Sequence, residues 1–314
     1  MPDLRVGVVG ATGAVGTVTL ALLAERGFED VRAYASQRSA GKQLSYGGRE
    51  LVVEEATPRV LADAELGLCF FSVGTEASRE LVPPTAAGGT VCIDKSDAFR
   101  LTDGVPLVVA GVNDDALDHD PVVANPNCSA IQLACVLKPL HEAAGLARVR
   151  LATYQSMSGA GDAGIEKLRA TAPMEADLAM DWPLEGEEFD EEFKLRAETR
   201  KILGLPDLPV QAQCVRVPVL VGHSQAIWVE TEEALSREDA SDALSAAPHV
   251  RLADYATPKE ATGQDDVLVG RVRQDLTDGR GLAIWSVNDN LRKGAALNAV
   301  QIAETLLDRR LLAA

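Results

Sequence analysis

Leu4-Arg5-Val6-Gly7-Val8-Val9, followed at once by Gly10-Ala11-Thr12-Gly13-Ala14-Val15-Gly16, is the stretch whose reading decides the fold. The first six residues have the character of a short buried strand, the next seven of a glycine turn, and the spacing from Thr17 to Arg26 predicts a helix. Strand, glycine turn and helix in this order make the phosphate end of a dinucleotide site. Glycines let the backbone turn tightly and approach a pyrophosphate, and the helix N-terminus meets its charge. Glycine-rich strand exits are common, so the position of the string between strand and helix carries the weight. Gly10, Thr12, Gly13, Ala14, Val15 and Gly16 are the expected cofactor-binding residues of this turn.

The next strand, expected over Val31 to Ser36, should end beside the adenosine ribose, where an NAD enzyme usually places Asp or Glu on the 2′-hydroxyl. No acid stands there. The chain continues Gln37-Arg38-Ser39-Ala40-Gly41-Lys42, in which the Arg38 guanidinium and the Ser39 hydroxyl suit a 2′-phosphate. The plainer reading of Arg38 is a solvated loop arginine; the expectation is NADP over NAD. Strand-like runs at Leu66 to Val73 and Thr90 to Asp94 alternate with helical patterns, which implies an α/β fold with a doubly wound, Rossmann-type parallel sheet. Ligands bind outside the carboxyl ends of such strands, so Ser72 and Gly74, in Ser72-Val73-Gly74, are expected to face the cofactor.

A chain of 314 residues, 46% hydrophobic and 25% charged, can bury a large core and is long enough for two domains. No apolar run approaches the ~20 residues that span a bilayer, and the start, Met1-Pro2-Asp3-Leu4-Arg5, passes into a strand without a signal-peptide pattern, so a cytoplasmic protein is expected. Five cysteines without C-x-x-C spacing and four unclustered histidines support neither a disulfide framework nor a metal site. Cys69 and Cys92 read as packing residues. A formal net charge of −17 argues against a nucleic-acid partner, whose phosphates require a basic surface. Against such a field an anionic ligand must be held by a few placed cations, and Arg38, Arg100, Lys194 and Arg216 are the candidates.

In Asn125-Pro126-Asn127-Cys128-Ser129 one thiol stands at the mouth of a helix, between a short strand (Asp120 to Ala124) and a buried helical pattern running to Pro139. Unpartnered N–H groups and the helix dipole there favour a thiolate; the plainer reading is a small core residue. Farther on, a strand from Arg148 to Gln155 runs into Ser156-Met157-Ser158-Gly159-Ala160-Gly161, and Gln155 is placed to orient a carbonyl or its adduct. An acidic stretch, Glu185 to Glu192, reads by itself as a solvated face. Alternation over Cys214 to Val221 predicts a strand in which Arg216 points opposite to Val215 and Val217, with His223 just past its end. Cysteine, histidine and arginine together are the parts of an acyl-transferring dehydrogenase: nucleophile, proton acceptor and anion clamp.

At this point the chain resembles the aspartate-semialdehyde dehydrogenase family along nearly its whole length, through G-A-T-G-A-V-G, S-Q-R-S-A-G-K, I-D-K-S-D-A-F-R, N-P-N-C-S, Y-Q-S-M-S-G-A-G, E-E-F-K, E-T-R-K-I-L, R-V-P-V-L-V-G-H-S and D-N-L-R-K-G-A-A-L-N-A-V-Q-I-A-E. The resemblance implies NADP- and phosphate-dependent interconversion of L-aspartate 4-semialdehyde and L-4-aspartyl phosphate. It implies Cys128 as attacking thiolate, His223 as an acid/base titrating near neutrality, Gln155 as a substrate-orienting residue, Arg216 on the substrate α-carboxylate, Glu191 on its α-ammonium, and Lys194 with Arg100 on phosphate. Ser158, Gly159, Lys293, Gly294 and Asn298 are the further cofactor positions it implies. It also implies an NADP-binding domain of 1–127 plus 293–314, an α+β catalytic and dimerisation domain of 128–292, a homodimer, and a place in lysine, methionine, threonine and diaminopimelate biosynthesis. Lys95, Asp97 and Ala110-Gly111 depart from the Gram-positive-type pattern, and Thr171 to Asp190 is shorter and more acidic than the corresponding family segment. The rival readings are an N-acetyl-glutamyl-phosphate reductase, whose cysteine usually sits in N-P-G-C-Y and whose acylated substrate nitrogen needs no Glu partner, and a non-catalytic homologue.

Overall fold

A computed structural model describes residues 4–170, 182–276 and 278–312. The chain divides into two compact units, Met1–Pro126 with Ala295–Ala314, and Asn127–Gly294.

The first unit runs β1 (Val6–Val9), α1 (Ala14–Glu25), β2 (Val31–Ala35), β3 (Gln43–Tyr46), β4 (Arg49–Glu55), α2 (Pro58–Ala62), β5 (Leu68–Phe71), α3 (Thr75–Ala87), β6 (Val91–Asp94) and β7 (Val122–Ala124). Its sheet has the order β3-β4-β2-β1-β5-β6-β7, all parallel except β3 against β4. Val6, Val8 and Val9 are fully buried, because helices cover both faces of the sheet and the strand cannot alternate with solvent. Val6 and Val8 join a core with Leu20 and Leu23 of α1, while Val9 and Phe71 pack with Leu81 and Val82 on the other face.

Strand order reverses at β1, which pairs with β2 on one side and β5 on the other. The expected helix begins three residues early, at Ala14, so the tight turn is confined to Gly10–Gly13. Gly10 has φ +80°, and a Cβ there would fall on the Ser72 carbonyl oxygen. A Cβ on Gly16 would fall on the Gly10 carbonyl. Both positions are glycine because backbone occupies the side-chain space.

The second unit contains α4 (Cys128–Ala144), β8 (Leu146–Gln155), α5 (Gly161–Ala170), β9 (Leu184–Glu185), β10 (Glu188–Phe189), α6 (Asp190–Leu203), β11 (Val210–Arg216), β12 (His223–Thr231), α7 (Arg237–Ala246), β13 (Val250–Leu252), α8 (Pro258–Ala261), β14 (Val267–Gln274) and β15 (Gly281–Asn288). Its six-stranded mixed sheet has the order β11-β8-β12-β15-β14-β13. Tyr154 and Trp228 are 37% and 46% exposed, and the Tyr154 and Trp285 rings lie 5.7 Å apart, which leaves an aromatic surface on the sheet. The chain then passes through a π-helical turn, Arg292–Ala296, into α9 (Leu297–Asp308), whose Val300 and Ile302 join the core of Val6 and Val8 in the first unit. Of the short acidic segment 171–190, residues 171–181 lie outside those described.

One strand expectation is corrected. The alternation over Cys214 to Val221 does not continue as a strand: β11 stops at Arg216, and His223 opens β12 instead of following a strand. Pro218 has no N–H to give to a ladder. Residues 217–220 pair with the turn after β8, where Met157 N–H donates to Val219 O at 2.9 Å and Ser158 N–H to Leu220 O at 3.0 Å. Arg216 does point opposite to Val215, but onto the buried face shared by Ala212 and Cys214.

Candidate active site

Cys128 is the first residue of α4. Asn127 caps the helix by accepting from Ser129 N–H at 2.8 Å, a local Asx arrangement that an Asn-Cys-Ser string favours. The Asn127 amide donates to Glu191 Oε1 at 3.0 Å, and its backbone N–H donates to Glu198 Oε2 at 2.6 Å. The segment carrying the thiol is thereby tied to α6, where Glu191, Leu195 and Glu198 recur at helical spacing on the buried face.

His223 is fully buried, with Nε2 3.1 Å from Cys128 Sγ. Its Nδ1 lies 3.0 Å from Ser156 N and 3.1 Å from Ser156 Oγ. Near-neutral titration is corrected for the chain by itself: burial, and secondarily the Arg216 guanidinium, lower the His223 pKa to about 3. The unfolded chain, whose imidazole titrates near 6.5, takes up a proton that the folded chain refuses. The stability that depends on a neutral His223 is therefore complete above roughly pH 6.5 and declines as pH falls toward about 3. Urea-unfolding midpoints of the wild type should drop more steeply than those of His223→Gln between roughly pH 6.5 and 4. Parallel curves would disprove the linkage.

Arg216 is 8% exposed; its Nη1 donates to Ser156 O at 3.3 Å and its guanidinium lies 4.4 Å over the Trp182 ring. A Cβ on Gly159 would come 2.7 Å from Arg216 Nη1 and 3.0 Å from the His223 ring, so a side chain there would displace the guanidinium and press on the imidazole. Glu191 accepts from Asn127 and, at 2.8 Å, from Gln155 Nε2. With Gln155 Oε1 accepting from Thr153 Oγ1 at 3.0 Å, the Gln155 amide is engaged at both ends and holds Glu191 in place. Lys194 forms an ion pair with Asp190 at 2.6 Å, so an anion at Lys194 shares it with a carboxylate. Lys293 is fully buried, and a Cβ on its neighbour Gly294 would meet Cys128 Cβ at 3.1 Å. The second unit thus brings Cys128, Gln155, Gly159, Glu191, Arg216 and His223 together, with Ser158 hydrogen-bonded to Asn290 at the turn.

In the first unit, Ser72 and Gly74 follow β5 beside the Gly10–Gly16 turn, and Thr12 Oγ1 reaches Ser39 Oγ at 3.4 Å. Gly13, the N-cap of α1, provides no side-chain cap, which leaves the helix N-terminus to meet a phosphate. Gly74 has open space where a Cβ would stand. These features fit a dinucleotide. Arg38 is exposed and makes no hydrogen bond or ion pair to a described residue. Arg100 is buried and donates to the carbonyls of Asn125 and Lys95, while Asp97 accepts from Thr75 Oγ1. Asn298 has both amide atoms engaged, accepting from Ala110 N–H and donating to Val108 O and Asn125 Oδ1, which makes it a brace of this unit. Cys69 and Cys92 are buried with thiol pKa values pushed up by desolvation, as packing residues should be.

Sequence reasoning missed Asn127, Trp182, Ser156, Glu198 and Asn290. Asn127 carried a signal in the Asn-Cys-Ser string that favours a cap, and Glu198 in its place seven residues after Glu191 on one helix face.

Family sequence models match both parts of the chain: "Semialdehyde dehydrogenase, NAD binding domain" over residues 5–119 and "Semialdehyde dehydrogenase, dimerisation domain" over 137–293. The aspartate-semialdehyde dehydrogenase of Corynebacterium glutamicum is 43% identical over 96% of this chain and 99% of its own. The chain belongs to the aspartate-semialdehyde dehydrogenase family. The family's Bacillus subtilis enzyme is 39% identical over 96% of this chain and 97% of its own. Among solved structures, aspartate semialdehyde dehydrogenase II from Vibrio cholerae complexed with ASA aligns with a TM-score of 0.92 and 37% identity, covering 98% of this chain and 99% of that one. The Candida albicans aspartate semialdehyde dehydrogenase with NADP aligns with a TM-score of 0.80 and 26% identity, covering 99% and 100%. The doubly wound first unit and the α+β second unit are the architecture of this family.

Proposed function

We propose that this protein interconverts L-aspartate 4-semialdehyde and L-4-aspartyl phosphate, using NADP and inorganic phosphate, in the route to lysine, methionine, threonine and diaminopimelate. The observation that carries the reading is the 3.1 Å approach of Cys128 Sγ and His223 Nε2 beside buried Arg216 and Glu191. The Cys128 thiolate adds to the aldehyde carbon and forms a thiohemiacetal. NADP, when bound, supplies the acceptor for the hydride that leaves this carbon. His223 takes the hydroxyl proton as the thioester forms. Phosphate then attacks the thioester carbonyl and the Cys128 thiolate leaves, releasing the acyl phosphate. Arg216 grips the α-carboxylate, Glu191 meets the α-ammonium, and Lys194 and Arg100 serve phosphate. The Glu191 carboxylate favours a free ammonium over the acylated nitrogen of an N-acetyl-glutamyl-phosphate reductase substrate.

The test is phosphate-dependent NADP reduction with aspartate semialdehyde, run beside N-acetyl-glutamate 5-semialdehyde. Activity on the second substrate in preference to the first, or on neither, defeats the reading. For the cofactor, Arg38→Ala should weaken NADP roughly tenfold or more and NAD little, since only NADP carries a 2′-phosphate for a charge-assisted contact. Equal losses in fluorescence titrations would remove Arg38 from the site. A homodimer belongs to the same proposal, with the aromatic sheet surface of Tyr154, Trp228 and Trp285 as the covered face. So does a cytoplasmic location, supported by five free cysteines.

A further inference from the structure

Lys95 follows β6 at the carboxyl end of the first unit's sheet, at a position where the chain departs from the pattern of its family. Its backbone N–H donates to Phe71 O at 3.1 Å, which sets the residue beside the end of β5. The side chain reaches in between that strand and α1. Nζ donates to Ser72 Oγ at 2.9 Å and to Thr19 Oγ1 at 3.3 Å, and it lies 5.3 Å from the centre of the Phe70 ring. Among the described residues no carboxylate accepts from it: Asp94, its neighbour in the chain, accepts instead from Ser78 Oγ at 2.7 Å and Ser96 Oγ at 2.6 Å.

An ammonium held by two neutral hydroxyls and a ring face, without a bonded counter-charge, is costly to bury. Burial accordingly lowers the Lys95 pKa to about 7, and Asp94 opposes this only in part. The titratable and charged groups around it are Asp94 of β6, Cys69 of β5 and Arg100, which donates to the Lys95 carbonyl; α1 presents the neutral Thr19. Cys69 is a neutral thiol, its pKa raised by burial. The two hydroxyls differ. Thr19 gives its proton to Val15 O at 2.9 Å. Ser72, accepting from Nζ, has its proton turned away from Lys95 and finds no acceptor for it among the described residues. The Ser72 carbonyl oxygen fills the space of a Cβ on Gly10, so Ser72 backs directly onto the glycine turn.

We propose that Lys95 is a positioning residue of the dinucleotide site: its ammonium turns the Ser72 hydroxyl toward the cofactor and supplies positive charge beside the turn that receives the pyrophosphate. The inference rests on the first unit being the one that binds NADP. In a chain of net charge −17, a cation without a bonded carboxylate at this crevice has the pyrophosphate as its counter-charge. Binding and protonation are then linked. The pyrophosphate raises the Lys95 pKa above its ligand-free value, so the complex takes up a proton in the window between the two values. Affinity is greatest below about pH 7, falls as pH rises through that value, and levels off once the liganded pKa is passed.

The experiment is calorimetric titration of the full-length protein with NADPH at pH 8, in two buffers of different ionisation enthalpy, with fluorescence titrations from pH 7 to 9. At pH 8 the 2′-phosphate is already ionised and contributes no proton. If the ligand raises the Lys95 pKa by about one unit, wild type should take up about 0.4 proton, and its NADPH Kd should rise about fivefold between pH 7 and 9. Lys95→Met, which keeps the stem and removes the charge, should bind roughly tenfold more weakly at pH 7, with no uptake and a flat profile. Lys95→Arg, charged throughout, should also be flat but tight. In a Ser72→Ala background the loss from Lys95→Met should shrink, because part of the effect passes through that hydroxyl. Binding without proton uptake, or uptake that persists in Lys95→Met, would overturn the proposal by itself. Strictly additive losses would overturn the part assigned to Ser72. No binding of NADPH to wild type would overturn the cofactor reading along with it. Should Lys95→Arg fail to fold, wild type and Lys95→Met still decide.

Discussion

Cys128→Ser is expected to abolish NADP reduction while leaving NADP affinity nearly unchanged. The thiol lies at the first position of α4, where the helix dipole favours a thiolate, and Nε2 of His223 stands 3.1 Å away. A serine hydroxyl at the same place has a far higher pKa and supplies almost no alkoxide at neutral pH, so the adduct does not form. The Gly10–Gly16 turn, proposed for the cofactor, belongs to the first unit and is not altered. Single-turnover NADPH formation and a fluorescence titration of NADP measure the two quantities separately. Residual turnover within about tenfold of wild type would remove Cys128 as the nucleophile.

The second large effect is at Arg216. Lysine keeps the charge but loses the planar fork, and here it also loses the stack on Trp182 and the hydrogen bond to Ser156 O. Loss of a charge-assisted bidentate contact costs about 1.5–3 kcal/mol, so Arg216→Lys should lower semialdehyde kcat/KM roughly 10- to 150-fold. The phosphate KM should move much less, because Lys194 and Arg100 are proposed for that anion. Steady-state kinetics with each substrate varied in turn separates the two sites. If the phosphate constant collapses and the semialdehyde constant holds, the two anion assignments are exchanged.

The readings that held from sequence were local ones. The strand, glycine turn and helix at Val6–Glu25 could be read because glycine marks positions where backbone excludes a Cβ, and because a buried parallel strand is apolar without alternation. Cys128 at the head of a helix could be read for the same reason, since Asn127 caps within two residues. Where local rules competed, one was misjudged: apolar alternation suggested a strand through Val221, and Pro218 prevailed because a missing N–H cannot be compensated by side-chain pattern.

What sequence by itself determined is therefore the dinucleotide unit, the place of Cys128 at a helix N-terminus and, through its motifs, the family. Tertiary structure alone decided the partners of the buried polar groups: Glu191 between Asn127 and Gln155, 64 and 36 residues away, Arg216 on Trp182, and Ser156 between His223 and Asn290, with 134 residues separating Ser156 from Asn290. It also decided that His223 is neutral, because its pKa depends on burial and on Arg216. Periodicity and turn chemistry act over a few residues and are written in spacing. The partner of a buried hydrogen-bonding group follows from strand register and from the cost of leaving that group unpaired, which exist only once β8, β12 and β15 have assembled.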